Sequence, residues 1–93
     1  MNKEIFKHLA TIWFNLYSME MNQKVKSVDG DTSLPLIDTA KSITSKLTVS
    51  LNTKDCKKAL RECKSLYDCL IQLDEDDYKA DACLCLCQIM ENL

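Results

Sequence analysis

The stretch that decides the fold class is KDCKKALRECKSLYDCLIQL, residues 54–73. Its apolar side chains recur every three or four residues, which at about 100° per residue places them on one face of an α-helix. The charged residues Lys57, Lys58, Arg61 and Lys64 fall outside that face. The apolar stripe consists of Cys56, Ala59, Leu60, Cys63, Leu66, Tyr67 and Leu70. The sequence therefore predicts an amphipathic helix over 54–73 that needs a neighbour along its apolar side.

The first half of the chain follows the same period twice, which predicts helices over 2–26 and 33–51. The apolar stripes are Ile5, Leu9, Ile12 and Leu16 in the first helix, and Leu36, Ala40, Ile43, Leu47 and Leu51 in the second. A second row, Phe6, Trp13 and Tyr17, lies beside the first stripe. Because this apolar surface is wider than a single seam, we expect the first helix to contact two neighbours, or one neighbour and a partner protein.

Polar segments separate these helices. The segment SVDGDTS, residues 27–33, contains the chain's one Gly together with Asp and Ser, and it predicts a loop. The second helix is expected to begin with Thr32 or Ser33 as its cap and to place Pro35 in its first turn, where the missing N–H costs nothing. The segment NTKD, residues 52–55, predicts a short turn between two antiparallel helices.

The last predicted helix, residues 77–92, is apolar nearly all round. The acidic run DEDD, residues 74–77, ends the preceding helix and supplies the negative charge that a helix N-terminus favours. One side carries Ala80, Cys83, Leu84, Cys87 and Met90, and the other carries Ala82, Cys85, Leu86 and Ile89. Such a helix must be covered on more than one face. We therefore expect a surface outside residues 1–73 to shield part of it.

Length and charge limit the classes of function. The 93 residues support a single helical domain, 1–93, and the formal net charge of -2 offers no positive field for a nucleic-acid backbone. No stretch approaches the ~20 apolar residues of a membrane span, and residues 1–21 lack the uninterrupted apolar region of a signal peptide. We therefore predict an intracellular protein, cytoplasmic or nuclear, whose partner is neither nucleic acid nor a membrane.

The cysteines are interpreted as small apolar residues of a reducing compartment. The six are Cys56, Cys63, Cys69, Cys83, Cys85 and Cys87. We expect no metal site, because in a helix Cys85 points away from Cys83 and Cys87, and the usual ligand spacing is absent. The alternative is a metal site formed by Cys83 and Cys87 together with Cys63 or Cys56. The single histidine, His8, is far from every cysteine in sequence, so we predict no catalytic residue and no cofactor.

The segment YDCLIQLDEDDYKA, residues 67–80, is similar to the junction between consecutive tetratricopeptide repeats. The matching positions are Cys63, Tyr67, Ile71, Leu73 and Asp74 before the turn, and Ala80, Leu84, Cys85 and Cys87 after it. The pattern departs from the family at Leu70, Glu75 and Asp81, which stand in place of Ala, Pro and an aromatic residue. The resemblance covers roughly a third of the chain and implies a stack of antiparallel helix pairs that binds a peptide or helix. The chain would then be a segment of a longer repeat protein, a subunit of a larger helical assembly, or a degenerate bundle that pairs with a second copy.

A second resemblance is carried by Ala59, Leu60, Cys63 and Tyr67, the string A-L-x-x-C-x-x-x-Y. It is similar to the third helix of the plant invertase and pectin methylesterase inhibitors, which are secreted, disulfide-bonded four-helix bundles, and it implies an inhibitor. The first half departs from that family, because it has no signal segment and no cysteine before Cys56. A further alternative is a homodimeric helical bundle that covers the wide apolar surfaces of two copies.

These patterns predict an all-α protein of four helices paired as antiparallel αα-hairpins, in a helical-repeat-like array or a small bundle. We interpret it as a non-catalytic protein–protein interaction module, a scaffold or adaptor, whose partner is a helix or peptide of another protein or a second copy of itself. The predicted contact residues are Phe6, Trp13 and Tyr17, because aromatic side chains left over from a core are typical binding anchors. Leu86 and Ile89 are the second candidates.

Overall fold

The computed structural model describes residues 3–26, 33–73 and 77–93. Within these ranges the chain forms four α-helices and no strand: α1 (Lys3–Lys26), α2 (Ser33–Asn52), α3 (Cys56–Leu70) and α4 (Asp77–Glu91). The predicted all-α fold class is confirmed. The bounds of α1, α2 and α4 lie within one residue of the prediction, whereas α3 begins two residues later and ends three residues earlier. In the same ranges, no helix has both the length and the apolar composition needed to cross a membrane.

Local polar groups set the turn between α2 and α3. The carboxylate of Asp55 caps α3 by accepting a hydrogen bond of 3.1 Å from the backbone N–H of Lys58. The N–H of Asp55 in turn donates to the carbonyl of Ser50 at 3.0 Å, which folds the turn back onto α2. Lys54 takes a positive φ of 60° at the tightest point. The predicted turn at 52–55 is thereby confirmed.

Two other predicted breaks fall mostly outside the described residues. Of the loop at 27–33 the structure describes Ser33, which is the first residue of α2, and the alternative cap Thr32 lies outside. Pro35 is the third residue of α2, in its first turn as predicted. Of the acidic run at 74–77 the structure describes Asp77, the first residue of α4, where a carboxylate complements the helix dipole.

The helices form a ring in which each packs against two others. The most extensive contacts join α1 with α4 and α2 with α3, α1 also packs against α2, and the contact between α3 and α4 is the least extensive. Neighbours run antiparallel, since the Cys69 thiol near the end of α3 donates to the Leu36 carbonyl near the start of α2 at 3.2 Å. The bundle measures 42 × 19 × 17 Å. This is the small-bundle form of the predicted architecture, because α1 closes the ring against α4.

The ring encloses an apolar core to which all four helices contribute. The predicted α1 stripe is buried, and Met19 extends it by one turn. Facing it are Ile37, Ala40, Leu47 and Leu51 of α2, Ala59, Cys63, Leu66, Cys69 and Leu70 of α3, and Ala82, Cys85, Leu86 and Ile89 of α4. Because its stripe is wide, α1 contacts both α2 and α4, as the sequence predicted.

Five predicted placements are wrong. Leu86 and Ile89 were predicted to contact a partner but are 0% exposed, because α4 turns this side toward α1 and the interior of the ring. Side chains without exposed surface cannot contact a partner. Three members of the predicted α3 stripe are exposed. Cys56 is exposed because it is the first residue of the helix, at the end of the bundle. Leu60 and Tyr67 are 37% and 40% exposed because they lie at the edge of the buried side.

Lys79 is a buried cation at the start of α4. Its ammonium group donates a hydrogen bond to the carbonyl of Leu73 at 2.8 Å and approaches that of Ile71 at 3.5 Å. Both carbonyls follow the C-terminal end of α3, where the helix dipole is negative. Lys79 therefore fastens the beginning of α4 to the end of α3.

Candidate interaction surface

The outer side of α1 carries a row of exposed apolar side chains. Phe14 is 66% exposed, Tyr17 55% and Met21 62%, and the small residue Ala10 is exposed as well. These positions follow one another at intervals of four, three and four residues, so they lie along one line of the helix. We refer to Ala10, Phe14, Tyr17 and Met21 as the α1 ridge. It faces away from the buried stripe and is therefore available to a partner.

Tyr17 is held in place by contacts on two sides. Its ring stacks on that of Trp13, with the centroids 5.9 Å apart and the planes at 27°. The ammonium group of Lys41 on α2 lies 4.2 Å from the centroid of the Tyr17 ring, a cation–π contact. Lys41 also forms an ion pair with Glu20 of α1. A side chain fixed in this way loses little conformational freedom when a partner covers it, which favours Tyr17 as an anchor.

A shallow pocket of about 290 Å³ extends the α1 ridge toward α4. It is lined by Phe14, Tyr17, Ser18, Met21 and Asn22 of α1 and by Tyr78 of α4. Three of the six lining residues are aromatic, and the hydroxyl and amide groups of Ser18 and Asn22 supply hydrogen-bonding capacity. The pocket can receive one apolar side chain of a partner whose backbone lies along the ridge.

The aromatic row predicted from the sequence coincides with this surface only in part. Tyr17 belongs to the ridge, Phe6 is 37% exposed near the start of α1, and Trp13 is half-buried and packs against the core. Phe14 and Met21 are more exposed than Phe6, and the sequence analysis missed both. The signal that could have found them is their spacing with Ala10 and Tyr17, which is that of a heptad seam.

A second apolar surface lies between α3 and α4, where the helices pack least. A groove of about 340 Å³ is lined by Lys64, Tyr67, Asp68, Cys87 and Met90. On the same side of α4, Leu84 is 57% exposed and Ala80 is exposed. The apolar helix α4 therefore has one buried side and one exposed side. Leu86 and Ile89, which were predicted to bind a partner, lie on the buried side.

The buried thiols are chemically quiet. Burial, with a smaller contribution from the Glu62 carboxylate, raises the pKa of Cys63 from 9.0 to about 11. Burial also raises the pKa of Cys69, and burial together with the nearby Asp81 carboxylate raises the pKa of Cys85. A thiol with a raised pKa stays protonated at neutral pH and is a poor nucleophile and metal ligand.

The remaining thiols do not assemble into a recognisable reactive centre. Cys56 and Cys87 are exposed, Cys83 is half-buried, and none of the six cysteines is part of a disulfide. In the part of the chain that the structure describes, no three His, Cys, Asp or Glu side chains form a group that could hold a metal ion. His8 is half-buried on α1. The features that stand out on this molecule are therefore its exposed apolar surfaces.

Charge is unevenly distributed along the bundle. Near the end that holds the start of α1, the turn between α2 and α3 and the end of α4, the segments 3–10, 50–60 and 84–93 carry five basic and three acidic residues. Near the other end, the described segments 18–23, 33–41, 66–73 and 77–80 carry two basic and four acidic residues. The formal charges of these described residues are therefore +2 at one end and -2 at the other. The opposite ends of two copies attract each other, whereas like ends repel.

Comparison of the chain with protein-family models, with curated protein sequences and with solved structures finds no match. The local resemblance to tetratricopeptide repeats around residues 67–87 stays a prediction. The features of this molecule that point to a function are the α1 ridge, the groove between α3 and α4 and the distribution of charge.

Proposed function

We propose that this protein is a non-catalytic protein–protein interaction module that binds an apolar helix along the α1 ridge. The observation that carries the proposal is the exposure of Phe14, Tyr17 and Met21 in one line on a helix whose opposite side is fully packed. A folded chain of this size gains nothing by leaving two aromatic rings and a thioether in water. A partner that covers them gains the corresponding hydrophobic free energy.

The size of the exposed surface supports this proposal. Side chains of this class present about 150–250 Å² each, so the three exposed fractions leave roughly 350 Å² of mainly apolar surface. Contiguous patches of about 300–600 Å² are the largest on typical monomers and are often functional. With Ala10 and Tyr78 at its edges, the surface has the width of one helix.

Scaffold or adaptor activity follows from the presence of separate apolar surfaces on one small bundle. The α1 ridge and the groove beside Tyr67 and Met90 lie on different helices, so two partners could be held at once. We further propose an intracellular setting, cytoplasmic or nuclear, for which six cysteines without a disulfide are suited. Titration of the denatured protein without reductant should find six reactive thiols, whereas fewer would favour the disulfide-bonded inhibitor alternative.

The proposal is tested by binding of a fluorescent probe peptide of about 21 residues with leucine at every a and d heptad position. Fluorescence anisotropy should show saturable binding to the wild-type chain. The double variant Phe14→Ser/Met21→Ser should bind at least tenfold more weakly, since each buried side chain of this size contributes about 1.5–3 kcal/mol.

Two control variants locate the site. Val49→Ser removes an equally exposed apolar side chain on α2 and should leave the affinity unchanged. Leu84→Ser alters the open side of α4 and should have little effect. Loss of binding in Leu84→Ser with full binding in Phe14→Ser/Met21→Ser would move the site to the groove between α3 and α4 and contradict the proposal.

A further inference from the structure

We infer that the helix that covers the α1 ridge belongs to a second copy of this chain, docked antiparallel about a two-fold axis. The inference rests on the proposed function and names its partner. Two independent observations lead to it, the order of large and small side chains along the ridge and the opposite charges of the two ends of the bundle.

The order of side chains along the ridge suits pairing with an antiparallel copy of itself. When two ridges meet head to tail, Phe14 of each copy lies opposite Tyr17 of the other, and Ala10 lies opposite Met21. The layers are then ring against ring in the middle and a small residue against a long flexible one at both ends. Offset aromatic pairs and large-against-small layers fill space without voids. A parallel pairing would instead place Ala10 against Ala10 and leave a gap.

The charge distribution independently favours the antiparallel arrangement. Antiparallel docking along α1 sets the +2 end of each copy beside the -2 end of the other, whereas parallel docking sets like ends side by side. Lys3 and Lys7 continue the line of the ridge and are exposed, and Asp77 at the start of α4 is exposed near its other end.

The area of the contact sets the expected strength. Two ridges and their flanks bury roughly 800–1,000 Å² in total, below the 1,200–2,000 Å² of stable complexes and typical of weak, reversible ones. The dimer should therefore dissociate upon dilution, with a dissociation constant on the order of 10–100 µM. A monomer that is stable alone, with a core closed by its own four helices, is compatible with such an equilibrium.

Sedimentation equilibrium tests the inference directly. Between ~5 µM and ~1 mM the mean mass should rise from one chain to two, and raising the salt from ~20 mM to ~500 mM should weaken association about three- to tenfold. Phe14→Glu/Met21→Glu should stay monomeric throughout, and Val49→Glu should dimerise like the wild type. Circular dichroism of both variants at low concentration checks that they remain folded.

Zero-length carbodiimide crosslinking of a mixture of ¹⁴N- and ¹⁵N-labelled chains tests the orientation. Crosslinks between isotopically different copies should join Lys3 or Lys7 of one copy to Asp77 of the other. Crosslinks between like ends would overturn the antiparallel arrangement. A monomer at ~1 mM that still binds the probe peptide would overturn the second copy as partner and leave the proposed function standing. Failure of both would remove the ridge as a binding surface.

Discussion

The side-chain amide of Asn15 donates a hydrogen bond of 2.9 Å to the carboxylate of Asp81, joining the first helix of the bundle to the last. Asn15 is buried within an otherwise apolar contact between α1 and α4. A buried amide requires a partner, so the pair fixes how far α1 slides and turns against α4. That register decides that Phe14 and Tyr17, on either side of Asn15 in sequence, point outward.

We predict that Asn15 and Asp81 are energetically coupled. In urea unfolding, Asn15→Ala and Asp81→Ala should each lower the free energy of unfolding by about 1–3 kcal/mol, because a charge-assisted hydrogen bond is lost. The double variant should cost less than the sum of the two by ~1 kcal/mol or more. Asn15→Ala combined with Asp68→Ala, an exposed carboxylate on α3, serves as the control and should be additive. Additivity in both cycles would show that the hydrogen bond does not stabilise the fold.

We predict a stabilising role for the ammonium group of Lys79. Lys79→Met keeps the aliphatic stem but leaves the carbonyl of Leu73 without this donor, and the free energy of unfolding should fall by about 1.5–3 kcal/mol. The matched substitution Lys64→Met, at an exposed position on α3, should change it by less than ~0.5 kcal/mol. Equal effects of the two substitutions in chemical denaturation would contradict this role.

The two sides of α4 should respond differently to truncation. Leu86→Ala removes a fully buried side chain and should lower the free energy of unfolding by about 2–5 kcal/mol through lost burial and a cavity. Leu84→Ala, two residues away on the open side, should cost less than ~1 kcal/mol. Thermal and urea denaturation of both variants measure this difference. The reverse order would mean that α4 is rotated from the orientation described above.

Cys63 should make stability fall in alkaline solution. Its pKa is raised from 9.0 to about 11 by burial, so between these pH values the unfolded chain releases the proton while the native chain retains it. The free energy of unfolding therefore falls by up to about 2–3 kcal/mol as pH rises through this window. Below pH ~8 this thiol makes no contribution to the pH dependence of stability. Urea unfolding of wild type and Cys63→Ala from pH 8 to 11 should show a smaller loss in the variant. Parallel pH profiles would contradict the buried, protonated thiol.

Periodicity was sufficient to predict α1 and α2 because each has a single dominant apolar stripe and a clear polar break beside it. The end of α3 was placed three residues too far, at Leu73, because the apolar pattern continues past Leu70. The carbonyls beyond Leu70 bond instead to Lys79, a long-range contact that no local pattern encodes.

The orientation of α4 could not be read from its own sequence. Leu84 and Leu86 are chemically identical and flank Cys85, so hydrophobicity gives no reason to bury one and expose the other. The choice is made by the packing of α4 on α1, to which the polar pair of Asn15 and Asp81 contributes. Hydrophobicity alone also failed to identify Phe14 and Met21 as exposed residues. The longer apolar stripe on the opposite side of α1 dominates the hydrophobic periodicity of that helix.

We predict that the α1 ridge is open in the single chain and covered when a helix binds. Met21 and Met19, 62% and 3% exposed, provide matched reporters two residues apart. With ¹³C-labelled methionine methyl groups and a soluble gadolinium chelate, NMR of the dilute chain should show strong broadening for Met21 and little for Met19. Saturation with the probe peptide should reduce the broadening of Met21 and leave Met19 unchanged. Equal protection of both methyl groups in the dilute chain, or a Met21 signal equally broadened with and without peptide, would contradict the account.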